Sequence, residues 1–403
     1  MVNETNPVVP PPVGSGGFDD QPETRSVEEL RRLDAIKWNR YDETVLPVWV
    51  ADMDLAPPRF VVDALVEFAR GRDYGYNFAA VEKLPAAFTA WQWDHHRWIP
   101  ERERVKVFCD VLHAIDVAIW LHTEPGDGIA LLTPIYPPFI RAVAGVDRRI
   151  VDVPLDPANG WRLDPDRLDQ AIDGGTRVLL LCNPHNPTGR VFDDDERRAI
   201  ADIVVEHDLL LISDEVWGDL LHPGVEHRPM ALMPELADRI LTVSSASKSF
   251  NLAGLRCAVA HIGHEGLGER LDDLPPHFLG AVGIPGATAA LRCWTDGQSW
   301  LSATRRYLTA RRDQLAAVVE AELPDIGFQV PEATYLAWLD LSRYELDPNP
   351  SKWLIDNAGI ACNAGTEFGP WGEGFVRLNF ATSEAILTEV LDRLVTALLS
   401  KRP

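Results

Sequence analysis

The chain has 403 residues, of which 46% are hydrophobic and 25% charged, and its formal net charge is −23. That length allows two or three domains and a sizeable core, with the composition of a soluble globular protein. The acidic balance argues against nucleic acid or an anionic membrane as a partner, and no apolar run reaches the ~18–20 residues that span a bilayer.

Residues 1–25 include VVPPPVGSGGFDDQPE, where proline, glycine and acidic residues dominate, and are expected to form a flexible arm. No basic start followed by an apolar segment opens the chain, so no secretory leader is expected. FVVDALVEFAR (60–70) has helical spacing. In WQWDHHRW, the adjacent His95 and His96 would point to different faces of a helix, which favours a helix surface over a metal site, and no metal is expected. The strand-like VKVF leads into CDVLHAIDVAIWLH (109–122), a helix opening at about Asp110-Val111-Leu112. IALL (129–132), RRIVDVP (148–154), RVLLLCNP (177–184), LLLIS (209–213), ILTVS (240–244) and CAVAHIG (257–263) continue as short apolar strands, several separated by helical stretches. One of these, DDDERRAIADIVVEHD (193–208), starts with acids that suit the positive end of a helix. The alternation predicts an α/β fold with a mostly parallel, doubly wound sheet covered on both faces. After about residue 286 the pattern changes to a long helix (299–323), the short strands TYLAWLDL and FVRLNF, and a terminal helix (383–401), which predicts a smaller α+β domain over 286–403. Cys109, Cys182, Cys257, Cys293 and Cys362 are far apart without a CxxC pair, which suits free thiols in a reducing cytoplasm.

Three predicted strands stop at polar clusters: RVLLLC at NPHNPTG (183–189), LLLIS at Asp214-Glu215, and RILTV at SSASKSFNLAGLR (244–256). Each has a bland reading, respectively an Asn-Pro turn, a helix N-cap and a surface lysine. Ligands of doubly wound sheets, however, bind beyond the carboxyl ends of the strands, where Asn186, Asp214 and Lys248 could meet. Ser245, Ser247 and Arg256 suit a phosphate, together with the N–H groups of Val111 and Leu112 at a helix start. Lys248 suits an imine to an aldehyde, and Asp214 suits a protonated pyridine nitrogen. An aldehyde, a phosphate and a pyridine together describe pyridoxal 5′-phosphate (PLP).

NPHNPTG, SDE and SxSK with arginine eight residues on resemble the aspartate-aminotransferase-like (fold type I) PLP enzymes. LPVWVADMD (46–54), YGYNF (74–78), TEPGDGIALLTPIYPPF (123–139), PEATYLAWLD (331–340) and VRLNFA (376–381) resemble the MalY/PatB branch of cystathionine β-lyases and other C–S lyases. The resemblance implies a PLP-binding large domain over 51–285, a segment 26–50 packed on the small domain, and a cytoplasmic homodimer with shared active sites. It further implies that Lys248 carries the aldehyde and moves the Cα proton, Asp214 faces the ring nitrogen, and Asn186 donates to the ring's phenolic oxygen. Tyr136 would stack on the ring, while Ser245, Ser247, Arg256, Val111 and Leu112 would hold the phosphate. Tyr76 would reach the neighbouring subunit's phosphate, and Arg377, helped by the Ala51 backbone, would clamp the substrate carboxylate. Without the resemblance, Arg377 reads as a surface ion-pair residue in a strand-like segment near an edge of the second domain.

Three positions depart from that branch. Trp217 stands where relatives have tyrosine or histidine, so a hydrogen bond to the ring oxygen is expected to be missing. Asp110 replaces a glycine and is expected to turn from the phosphate and cap the helix. Ala333 replaces a glycine and is expected to narrow the substrate side. The implied reaction is β-elimination of an S-substituted L-cysteine to a thiol, pyruvate and ammonia. Transamination on the same cofactor is the alternative, and a PLP-binding regulatory protein without turnover is the reading from another class.

Overall fold

A computed structural model describes residues 22–275, 278–347 and 349–401. Most of the expected arm, residues 1–21, lies outside the described residues. Of its described residues, Thr24 bridges to Leu55.

Seven strands form the central sheet: β1 (Val105–Phe108), β2 (Gly128–Thr133), β3 (Arg149–Pro154), β4 (Thr176–Cys182), β5 (Leu210–Asp214), β6 (Ile240–Ser244) and β7 (Ala258–Ile262). Their order is β1-β7-β6-β5-β4-β2-β3. The run from β6 to β3 is parallel, while β7 is antiparallel to both β6 and β1. The apolar side chains alternate between two buried layers. Ile129, Leu131, Val178, Leu180, Ile212 and Leu241 enter one, and Ala130, Leu132, Leu179, Leu181, Leu211 and Ile240 enter the other. A sheet buried on both faces therefore has continuous apolar strands rather than alternating ones, and the sheet is the mostly parallel α/β one expected.

Helices α1 (Arg59–Gly71), α2 (Ala79–His96), α3 (Val111–His122) and α4 (Asp194–Glu206) belong to this unit. The acidic start of α4 closes a capping box: Asp193 accepts from Glu196 N, and the Glu196 side chain accepts from Asp193 N. Helix α5 (Ile284–Asp296) runs across the boundary expected at residues 285/286 and packs on α1 and α2. Its small, apolar face (Ala287, Ala289, Ala290) allows close approach. The long helix α6 (Gln298–Glu322) and the terminal helix α7 (Glu384–Leu399) pack together beside an antiparallel sheet of β8 (Gly327–Phe328), β9 (Leu336–Asp340), β10 (Asn363–Ala364) and β11 (Phe375–Asn379), in the order β10-β11-β9-β8. Strand β11 is thus internal to this sheet, and Arg377 on it is buried rather than at the surface as its local pattern suggests. Among the described residues no helix is long and apolar enough to cross a membrane.

The histidine pair is not on a surface. His96 is buried with Nε2 3.6 Å from Asp219 Oδ1, and His95 stacks on Trp91 at 3.9 Å and contacts Gln298. Helix α2 is covered on more than one face because α5 and the start of α6 return to it, a long-range event that the local pattern does not encode.

Before the sheet, Leu46–Pro47 pairs in parallel with Ile360–Ala361. A buried ion pair anchors the next stretch: Lys37 Nζ lies 2.9 Å from Asp54 Oδ1, which also accepts from Trp38 Nε1 at 2.7 Å. Asp54→Ala would leave the ammonium buried without its counter-charge. A loss of about 3–5 kcal/mol is expected, read as a fall in the urea midpoint, while a Lys37→Met/Asp54→Leu double variant should recover most of it.

Candidate active site

The carboxyl ends of β4, β5 and β6 open into one cleft enclosing about 760 Å³ of free space, part of it solvent. Ala51, Val111, Leu112, Tyr136, Asn186, Asp214, Ser245, Ser247, Lys248 and Arg256 all line it, together with Asp110, Phe139, Cys182, Val216, Trp217 and Ala253. Of the predicted site residues, Arg377 and Tyr76 are not among those lining it; Arg377 lies behind Asn186, to which it is bonded, whereas Tyr76 is not brought there. It is 99% exposed and stacks on Phe78.

Asp214 ends β5 and is buried, accepting from Val216 N at 3.1 Å. Burial lifts its carboxyl to about 7, with Glu215 adding to the rise and the Val216 N–H and Lys248 opposing it. Burial also draws the Lys248 ammonium below the usual lysine range; Arg377 adds to this, while Asp52 and Asp214 oppose it. Lys248 Nζ donates to the Ala51 carbonyl at 2.8 Å and lies 5.6 Å from the Trp217 ring centre. Trp217 is itself fixed edge-on against Tyr335, ring centres 4.8 Å apart.

Asn186 hangs from a loop whose Gly189 has φ +72°, and a Cβ there would meet Pro331 Cβ at 2.4 Å, so only glycine fits. Ala333 is buried behind this loop, its N–H donating to the Gly189 carbonyl at 2.9 Å. Asn186 Oδ1 accepts from Arg377 Nη1 at 3.1 Å, which leaves the Asn186 amide N–H₂ as the free donor.

Arg377 is buried, and burial lowers its guanidinium to about 10. Its other contacts are neutral acceptors, Asn363 Oδ1 at 2.7 Å and the Trp49 carbonyl at 2.9 Å, and it lies over the Phe368 ring. Among the described residues it forms no ion pair with a carboxylate, Glu367 acting on it only at longer range. A buried cation without an acid invites an anionic ligand.

At the other end of the cleft, α3 begins with Asp110 as its cap. Asp110 Oδ1 accepts from His113 N at 2.7 Å, and among the described residues the N–H groups of Val111 and Leu112 have no partner. Asp110 caps the helix as expected, yet it does not turn away, because its second oxygen is ion-paired with Arg256. Ser245 Oγ lies 2.8 Å from Ser247 Oγ and 2.6 Å from the Cys257 carbonyl.

Sequence reasoning missed the residues that hold the irregular segment 50–55 over Lys248. Asn379 Nδ2 donates to the Val50 and Asp52 carbonyls at 2.6 and 2.7 Å, Tyr335 OH donates to Ala51 O at 2.8 Å, and Asn251 is bonded to Met53 and Leu55. Asn251 (φ +57°) lies within the SSASKSFNLAGLR stretch, where the asparagine itself, a residue type that tolerates the left-handed region, was the available signal.

The family described as "Aminotransferase class I and II" matches residues 52–394. The chain is 32% identical over 381 residues to cystathionine beta-lyase PatB of Bacillus subtilis, covering 92% of this chain and 98% of that protein. It is 31% identical over 377 residues to cystathionine beta-lyase of Corynebacterium glutamicum, covering 92% and 99%. The structure of cystalysin from Treponema denticola, which contains a pyridoxal 5′-phosphate cofactor, superposes with a TM-score of 0.88 at 30% identity, covering 96% of this chain and all of that one.

Proposed function

The chain belongs to the aminotransferase class I and II family, and from that membership we propose that it is a PLP-dependent carbon–sulfur lyase acting on an S-substituted L-cysteine. The similarity to proteins named cystathionine beta-lyase over 92% of the chain carries this reading. The site fits the cofactor. The buried Asp214 carboxyl, lifted to about 7, is relieved by a cationic ring nitrogen, and the two free N–H groups of α3 suit a phosphate.

In this reading Asp214 faces the ring nitrogen, Asn186 donates to the phenolic oxygen, and Tyr136 covers a ring face. Val111, Leu112, Ser245, Ser247 and Arg256 hold the phosphate. When bound, PLP supplies an aldehyde for the substrate amine and a cationic ring that accepts electron density from Cα. Arg377 grips the substrate carboxylate and so sets which Cα substituent stands across the ring. Lys248 Nζ, lowered in basicity by burial, takes the Cα proton. The C–S bond at Cβ breaks with its electron pair leaving on sulfur, and addition of water gives thiol, pyruvate and ammonia. The fully exposed Tyr76 supports a homodimer in which this side chain reaches the neighbouring chain's phosphate.

The test is incubation with L-cystathionine and S-alkyl cysteines without any keto acid. Pyruvate is the expected product, whereas turnover only with an added keto acid would make transamination the reaction. Arg377→Lys keeps the charge but loses the planar fork, and kcat/KM is expected to fall about 10²–10³-fold, mainly through KM. An S-substituted cysteamine, which lacks the carboxylate, should bind the two proteins equally.

A further inference from the structure

The phosphate end of the cleft carries its own anion. Arg256 is the cation there, and among the described residues its only side-chain partner is the Asp110 carboxylate. Asp110 is not free to swing away. Its Oδ1 is committed to His113 N at the start of a twelve-residue helix, and its backbone is extended (φ −163°, ψ 173°). The other oxygen is ion-paired with Arg256, and Asp110, Arg256, Val111 and Leu112 line the same cleft. The charges of Asp110 and Arg256 cancel before any ligand enters. An incoming phosphate dianion must share or take the guanidinium and then stay beside a fixed carboxylate.

Resting on the PLP reading above, we infer that Asp110 competes with the cofactor's phosphate for Arg256 and holds the chain's affinity for PLP down. The cofactor is retained by the remaining donors and by Lys248, but loosely enough for the loaded fraction to follow the free PLP concentration. The feature is local to the phosphate, so the ring and aldehyde contacts are not altered by it.

Asp110→Asn removes the charge and keeps the cap, since asparagine caps as well as aspartate; Asp110→Ser is a second uncharged cap. Holoenzyme and both variants are dialysed to equilibrium against graded PLP, and in parallel against pyridoxal, which lacks the phosphate. Bound cofactor is read from its visible band. At least tenfold tighter PLP binding by the variants, with pyridoxal binding unchanged, is expected. Equal or weaker PLP binding by the variants overturns the inference, as does an equal gain for pyridoxal, which would place the effect away from the phosphate. A wild-type chain that takes up no PLP at any concentration would remove the cofactor reading itself, and the inference with it.

Discussion

Replacing Lys248 with alanine is expected to lower pyruvate release from an S-substituted cysteine by about 10⁴-fold, the upper end of what one positioned acid–base group supplies. No other lysine or histidine lines the cleft among the described residues, so no second amine can take the Cα proton there. The loss should not come from unfolding. The ammonium contributes one bond, to the Ala51 carbonyl, which keeps the Tyr335 hydroxyl as a donor, and burying that charge is itself costly. The variant should therefore melt no lower than the parent. Borohydride should fix the cofactor to the parent chain and not to the variant, and a small primary amine such as methylamine should restore part of the rate. A variant within tenfold of the parent would take Lys248 out of the chemistry, and an unchanged cellular phenotype would favour a regulatory role.

Much of the site was legible because its residues lie one step beyond strands whose apolar runs announce themselves. Asp214 directly ends β5, and Ser245 to Lys248 directly follow β6. In a parallel sheet such ends share one edge, so three local patterns imply one cleft. The N-terminus of α3 was legible for the same reason, with Asp110 in a cap position before an apolar run.

What stayed hidden depends on contacts between distant segments. Asn379 and Tyr335 reach back more than 280 residues to the irregular segment 50–55, and nothing in their own neighbourhoods marks them as partners of Val50 and Ala51. Helix α5 looks like the start of a second domain because its neighbours in sequence are helical, yet its small residues seat it on α1 and α2. The same packing turns His95 and His96 inward. Arg377 reads as a surface residue until β10 pairs on its far side and makes β11 internal. Asp110 shows the mixed case, in which the cap is local and the Arg256 pair spans 146 positions.

Asp214 gives the second large effect, and it separates the fold from the chemistry. In the cofactor-free protein its carboxyl titrates near 7, against about 4 in an unfolded chain. Below pH 4 both states are protonated and the group is neutral to stability. Between pH 4 and 7 the unfolded chain loses this proton while the folded chain keeps it, so folded stability falls as pH rises, by about 4 kcal/mol across the window. Asp214→Asn carries no titrating proton, and that part of the slope should vanish in urea melts of the apoprotein. In the loaded enzyme the order reverses, because the ionised carboxylate is what balances a cationic ring nitrogen. An amide cannot do so, and kcat is expected to fall about 10²–10³-fold although the variant apoprotein is the more stable one at pH 7. A variant that kept both the parent's kcat and its pH slope would show that Asp214 faces neither a cation nor the buried interior.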